Sequence, residues 1–485
     1  MRLAPIATLA CVALLALAGP AAANTFSVTT TADDVGSCDP GDCSVREALA
    51  AADANPGADT VNIPAGHYVL TNGELFTDVA NDALNIVGHS ARDTTLDAAG
   101  NSRVLDALDG NVNVSHLTIS GGVAPSSGGF DPGQGGGIFF DGQQMVLDHV
   151  AVVGNKALAA SFGGQGGGVF GGGPVTVTNS LISGNTADGT GNNFSGGQGG
   201  GIFGNEVLVL TNVTVANNVA TPADSGASFP HSQGGGIFVN QQGTTFTHVT
   251  IAGNQVTDTD SSGGVFLDDN ATFVNSIVAG NTASGGPGDC DANGNTISEQ
   301  GHNLMGTPVD CHFNAPGDIT ADPLLGALAN NGGETDTEAL PAGSPAIDKA
   351  DGAFCPSTDQ RDVTRPQLGG CDLGAFEFVP PPLAPPAAPA DTTKPTIHVK
   401  GIRRACLKKR VVVRVQISDA SGIRSVVVKL DGKRIRRGVK KSGFKLVLDP
   451  RKLKAGKHLL QIVAVDNAGN RRIVKKRFTR CGRKH

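Results

Sequence analysis

Asp268-Asp269 is the best carboxylate pair in the chain for glycosidic chemistry, which needs two placed carboxyl groups, and it follows a Gly-Gly-Val-Phe stretch. Lys156 is the best proton acceptor for the other route to polysaccharide cleavage, abstraction of the proton next to a uronate carboxylate. It stands nearly alone: between Arg103 and Arg361 there is no arginine, and the only lysines are Lys156 and Lys349. Asp289-Cys290-Asp291-Ala292-Asn293-Gly294 matches the first half of a calcium loop, with oxygen donors at alternate positions and then a glycine for the sharp turn. Gln300 stands where the closing Glu belongs, and Glu299 is one place early. Asp289, Asp291 and Asn293 are thus the candidate Ca²⁺ ligands, against the plainer reading of a polar disulfide loop. His116, His149 and His248 recur at one place in a repeat and suggest a metal column. Asn179, Asn212 and Asn275 occupy the same place, which favours a turn position instead.

Two further groups suit binding rather than bond cleavage. Phe130, Phe162, Phe194 and Phe229 precede Gln134, Gln165, Gln198 and Gln233 by three or four residues. Stacked, they would form an apolar strip beside an amide ladder, either open to a partner or glycan or closing each loop onto the next. Sugar-stacking platforms usually use Trp or Tyr for their polar handle, and this chain has no Trp and one Tyr.

The second group is cationic. Residues 394–485 hold 29 Lys and Arg against four Asp, a net of +25, while residues 1–393 hold 8 basic and 40 acidic residues, a net of −32. The overall charge of −7 hides this division. An acidic body repels a polyanionic substrate, and a basic tail attracts one with salt-dependent affinity. Arg434, Arg436, Arg437, Lys440 and Lys441 follow the Asp431-Gly432 turn and are the expected polyanion contacts. Cell-wall polymer, acidic polysaccharide or extracellular DNA fits such a surface. Sequence-specific nucleic-acid readout is not expected, because no helix-in-groove motif or aromatic platform is present.

These residues sit on a repeat. QGGG[IV]F begins at Gln134, Gln165, Gln198 and Gln233, and a looser SGGVF begins at Ser262. The apolar residues at their hearts, Ile138, Val169, Ile202, Ile237 and Val265, are 31, 33, 35 and 28 residues apart. Units of this length cannot bury a hydrophobic face alone and must stack. Between the GGG motifs run eleven-residue segments such as VTVTNSLISGN, apolar at positions three and eight. Five residues apart, these cannot face one way on a straight strand of period two, so the chain must bend between them. The bend falls at His116, His149, Asn179, Asn212, His248 and Asn275, types that tolerate a left-handed backbone. Each repeat is then one rung of about three short strands, and the chain is all-β, a parallel β-helix. Length varies only before GGG, so variable loops gather at one corner, where binding usually resides.

Residues 1–23 read as a secretory signal, with Arg2, an apolar run and Ala21-Ala22-Ala23 before cleavage at Asn24, and no later stretch is long enough to span a membrane. Cleavage removes Cys11 and leaves eight cysteines, as suits an exported, extracellular chain. Proximity suggests Cys38–Cys43, Cys290–Cys311, Cys355–Cys371 and Cys406–Cys481. Ser44-Val45-Arg46-Glu47 is a capping box, opening a helix that ends at Asn55-Pro56-Gly57 and plugs the open end of the solenoid. The β-helix occupies 24–293 and its altered C-terminal part 294–379. A Pro/Ala linker follows at 380–393, then a β-sandwich at 394–485 with alternating strands near 411–417, 425–430 and 459–465.

CSVREALAAADANPGADTVNIPAG at 43–66 resembles the N-terminal signature named for its Cys-Ser-Leu-Arg-Glu-Ala core, with Val45 in place of Leu. GHNLMG, DPLLGALANNGGETDTEALPAGSPAID, DQRDVTRP and CDLGAFE, from Gly301 onward, resemble the choice-of-anchor Q domain of secreted β-helix proteins. The GGGIF and GN repeats resemble pectin-lyase-like right-handed single-stranded β-helices, and SGIRSVVVKLDGK with GKHLLQIVAVDNAGN resembles a bacterial Ig-like domain. Together these resemblances imply a surface protein with no general activity. They also show what is missing for catalysis: Asp268-Asp269 lacks the His-Gly and Arg-x-Lys motifs that accompany such a pair in polygalacturonases. The expected function is a secreted or cell-surface, non-catalytic binding, adhesion or envelope scaffold with a cationic attachment module. The alternatives are a polysaccharide-active enzyme, lyase or glycoside hydrolase, with its site in the variable loops, and a purely structural envelope component.

Overall fold

The computed structural model describes residues 23–79, 82–127, 132–229, 231–258, 261–284, 286–308, 311–381, 390–403, 406–437 and 442–481. The chain forms two compact units, 1–381 and 382–485. The first is a parallel β-helix. Its rungs pair in parallel register, apart from a terminal hairpin of Thr282–Ala283 with Gly286–Pro287, and Ile138, Val169, Ile202, Ile237 and Val265 are direct neighbours in one column, each fully buried.

Four sheets, not three, run along the middle rungs. One rung reads Ile138–Asp141, Gln144–Asp148, Ala151–Val153 and Lys156–Ala157. The fourth strand is only two residues long, too short for a sequence pattern, and it exists because Ala157, Ala187 and Ala220 repeat in register on small buried side chains. The predicted bend is present: His116, His149, Asn179, Asn212, His248 and Asn275 all have φ between 49° and 57°. It turns the apolar third and eighth positions to the same interior, as at Val177 and Ile182.

The GGG motif has a steric cause. Gly199 takes φ 63°, in the left-handed region. A Cβ on Gly200 would collide with the carbonyls of Gly235 and Val219, and one on Gly201 with the carbonyl of Gly236 and the side chain of Asn218. The crowding neighbour is the last Asn of the segment. Asn155, Asn185, Asn218, Asn254 and Asn281 form a buried ladder in which each backbone N–H and side-chain Nδ2 donate to Oδ1 of the next. Each Nδ2 also donates to a carbonyl further down the stack, as Asn218 does to Ile182 O at 2.9 Å. The phenylalanines of GGG[IV]F make a second ladder. Phe139, Phe170, Phe203, Phe238 and Phe266 stack nearly parallel at 4.8 to 5.3 Å.

The N-terminal helix, Val45–Asp53, has the full capping box at Ser44 and Glu47 and buries Val45, Ala48, Leu49 and Ala52 in the solenoid core. After the last rungs at Ile297–Glu299, Leu304–Met305 and Ile319–Thr320, residues 322–378 form a strap almost without strands. It runs back along the corner column. His302 contacts Lys349 O, Asn275 contacts Asp351, Asn212 donates to Thr358 O, and Glu334 reaches Ala91 N and His116.

In the second unit an antiparallel sheet of Thr396–Lys400, Val411–Ser418 and Gly443–Leu448 shares a core with a second, five-stranded sheet. Val413, Val415, Val426, Val428, Leu460, Ile462 and Phe478 fill it. All four cysteine pairs, Cys38–Cys43, Cys290–Cys311, Cys355–Cys371 and Cys406–Cys481, are bridged. Among the described residues no helix is long and apolar enough to cross a membrane.

Candidate functional site

The variable loops assemble a groove of about 460 Å³ lined by Phe162, Gln165, Phe194, Gln198, Phe229 and Gln233, among others. Parallel stacking of rungs brings these residues together. Gln134, Gln165, Gln198 and Gln233 pair through their backbones, and each Nε2 donates to the next Oε1 at 2.7 to 2.9 Å. An amide in such a ladder keeps a second N–H and a second lone pair for other partners. The rings meet edge-to-face, Phe162 with Phe194 at 5.7 Å and Phe194 with Phe229 at 5.4 Å. They remain 61, 41 and 63 % exposed, so contact with one another does not bury them. Phe130 lies outside the described residues.

The other candidates are placed differently. Lys156 pairs with Asp188 at 2.6 Å on the next rung and so braces a loop. Burial would raise the Asp188 carboxyl, but Lys156, Thr190 and Thr221 hold it at about 2. Asp268 accepts from Asn293 Nδ2 and Asp269 from the Asn270 backbone. The calcium half-loop is divided. Asp289 is buried, and its Oδ1 accepts from Asn281 N and Nδ2 while Oδ2 accepts from Thr307 N. Its role is to terminate the asparagine ladder, a carboxylate supplying the acceptor that the next Asn would have supplied. Asp291 accepts from Asn293 N in a local turn. The three are not held around one point, because Asp289 faces the core ladder and Asn293 the neighbouring rung.

The histidine column docks the strap. His116 and His149 stack at 5.1 Å; Glu334 holds His116 Nδ1, and Asp362 contacts His149 Nε2 at 3.2 Å. His116, Asp148 and His149 also bring three ligand atoms within 4.8 Å of one another. His248 is buried and bonded to Asn275, and burial keeps its pKa well below the usual imidazole range. The strap itself is knotted by its own charges. Asp359 accepts from Arg361 Nε and from the Arg361, Val363 and Glu377 backbones. Arg365 and Glu377 form an ion pair at 3.0 Å with side chains 0 and 1 % exposed. The DQRDVTRP and CDLGAFE stretches are therefore one polar core.

This docking should weaken as pH rises. His149 is raised to about 9, first by the Asp148 hydrogen bond within the solenoid and further by Asp362 of the strap, so the part that Asp362 adds to docking needs the charged imidazole and is lost as pH climbs through about 9. Burial raises Glu338 to about 7, and raises Asp372 to about 6 against backbone donors from Phe378 and Asp348. Both acids favour the protonated folded form, so their contribution is lost earlier in the rise, between 3.8 and about 6 for Asp372 and between 4.5 and about 7 for Glu338. Hydrogen exchange, corrected for intrinsic rates, should show strap amides 334–377 losing protection between about pH 5 and pH 9, and His149→Gln should flatten the upper limb. Constant protection across that range would show that these groups do not govern docking.

In the second unit the basic residues line two concave regions. Lys457, Lys475, Lys476 and Arg477 border one of about 640 Å³, and Lys400, Arg414 and Lys445 border another of about 530 Å³. Arg434 and Arg436 are exposed on the strand Lys433–Arg437, where Arg436 covers the Phe444 ring at 4.9 Å. Arg437 ends that strand, while Lys440 and Lys441 lie outside the described residues. The sequence signal for the larger cleft was the run RRIVKKRF, whose basic residues continue on an adjacent strand.

Comparison of the chain with family models, with curated proteins and with solved structures finds no match.

Proposed function

We propose that the protein is an exported, non-catalytic binding scaffold, held to anionic surface polymer by its basic second unit and presenting the Phe–Gln groove of its β-helix. The observation that carries this reading is the pair of Lys/Arg-lined clefts within residues 394–485, whose net charge is +25. Clefts lined by one sign of charge focus field and concentrate counter-ions. Export is supported by the signal-like residues 1–23 and by four disulfides, which persist in oxidising compartments. The two packed sheets of the second unit, and a strap built from the DQRDVTRP and CDLGAFE stretches, support the Ig-like and choice-of-anchor Q resemblances. A parallel β-helix agrees equally with the pectin-lyase-like resemblance. The Phe–Gln groove fits an extended glycan or peptide, because it offers ring faces and unused amide positions, with His231, paired to Asp258, as the one titratable group of its lining among the described residues.

The full chain should bind acidic wall polymer, with affinity falling steeply from low salt to about 1 M, where the Debye length is roughly 3 Å. Reversing Lys457, Lys475, Lys476 and Arg477 to Glu should weaken binding by roughly tenfold or more. Salt-indifferent binding would sink the proposal. Binding that survives charge reversal but is lost in Phe194→Ala would move attachment to the groove.

A further inference from the structure

The second unit contains few carboxylates, and their placement is uneven. Asp431 pairs with His458, and Asp449 pairs with Arg451 and Arg410. The other three, Asp391, Asp419 and Asp466, converge so that one ligand atom from each lies within 4.8 Å of the others. Among the described residues none of these three forms an ion pair with Lys or Arg, in a unit that has 29 of them. Three like charges at this separation repel strongly unless something positive lies between them.

The loops are built to hold these groups there. Asp391 Oδ1 accepts from Thr393 N and Oγ1, Asp419 Oδ1 from Ser421 N and Oγ, and Asp466 Oδ1 from Asn470 N. Each carboxylate thus fixes one oxygen in a local turn. Asn470 Nδ2 donates to Asp391 O and Asn467 Nδ2 to Ser421 O, which ties the three loops together. Asp466 is 0 % exposed and its Oδ2 is buried without a hydrogen-bond partner, while the half-buried Asp391 lies within hydrogen-bond reach of the Ser421 and Asp419 side chains. A fully buried carboxylate oxygen left unpartnered is costly, and this one belongs to the cluster.

We propose that Asp391, Asp419 and Asp466 form a calcium site. The donors are all oxygen, with no imidazole or thiolate in the cluster, which suits a hard cation. Calcium is favoured over magnesium because three carboxylates from three separate loops suit its larger, adaptable shell better than a strict octahedron. Bound calcium joins the segment before Thr396–Lys400 to the turns after Val411–Ser418 and Gly456–Asp466, so it stiffens one end of the unit. This role is independent of what the basic clefts bind.

Calcium should be titrated into the chelator-treated full chain by calorimetry, with hydrogen exchange read in parallel. Binding is expected at the affinity of extracellular modules, on the order of 10⁻⁴ to 10⁻³ M, with magnesium weaker. Calcium should slow exchange at residues 419–422 and 466–470. Asp391→Asn, outside the hydrophobic core, should weaken binding by roughly tenfold or more, and Asp419→Asn likewise, with circular dichroism confirming that both remain folded. Asp431→Asn should leave the affinity unchanged. Absence of calcium binding up to about 10 mM, or binding and protection unaltered in Asp391→Asn and Asp419→Asn, would overturn the proposal.

Discussion

Asn218→Ala is expected to destabilise the solenoid by at least about 3 kcal/mol, far more than a change at an exposed polar position of the rungs. The Asn218 side chain is fully buried and makes four hydrogen bonds of the ladder: Oδ1 accepts from Asn185 N and Nδ2, and Nδ2 donates to Asn254 Oδ1 and Ile182 O. Alanine leaves two donors on Asn185 without an acceptor and the Ile182 carbonyl without its donor, each a buried polar group costing about 1–3 kcal/mol. Water cannot replace the side chain easily, because Gly201 presses on it from the adjacent strand. The comparison is Asn240→Ala, which removes the side-chain bond to Asn205 on the exposed surface and should change stability by less than about 0.5 kcal/mol. Urea unfolding of the two variants checks this. Equal losses would mean that the ladder is incidental to stability and that the apolar columns alone hold the rungs.

The contrast between these two asparagines shows what the sequence could reveal. Ladders were legible because a parallel β-helix repeats a residue type wherever it repeats an environment. The inward Ile/Val column, the left-handed corner and the Gln ladder could all be read from spacing. The reason for Asn at the segment's end could not, since a buried amide column and an exposed turn leave the same letter. Asp289 is the clearest case. Its alternate-oxygen pattern imitates a calcium loop, but the residue sits where the next ladder Asn would be, a fact that exists only once the rungs are stacked. The histidines misled in a related way. His116 and His149 suit the bend, but their type follows from Glu334 and Asp362, which lie more than 200 residues away in the strap. Nothing local marks such a partner. The Asp391, Asp419 and Asp466 cluster was hidden for the same reason, as its members are scattered over three turns of a strongly basic segment.

The strap supplies the other large effect. Arg365→Ala should destabilise its docked form by about 3–5 kcal/mol, because breaking one side of a buried ion pair leaves the other charge uncompensated. Arg365 bonds Glu377 Oε2 and also donates to the carbonyls of Asp372 and Gly374. Glu377 in turn accepts from the backbones of Gln367 and Asp372, so its carboxylate is fixed in place and cannot turn out to water. The disturbance should reach the solenoid, since Gly374 N donates to Asn275 O and Ala375 N to Thr250 Oγ1. Limited proteolysis should then cut the variant within residues 357–377, while the inward column at Ile202 and Ile237 keeps its exchange protection. Adding Glu377→Gln to Arg365→Ala should restore part of the loss, because the amide still accepts from the backbone but no longer buries a charge. If the double variant is as unstable as the single one, the lost carbonyl contacts of Arg365 dominate. If the single variant resists protease like the parent, the ion pair is not what closes the strap.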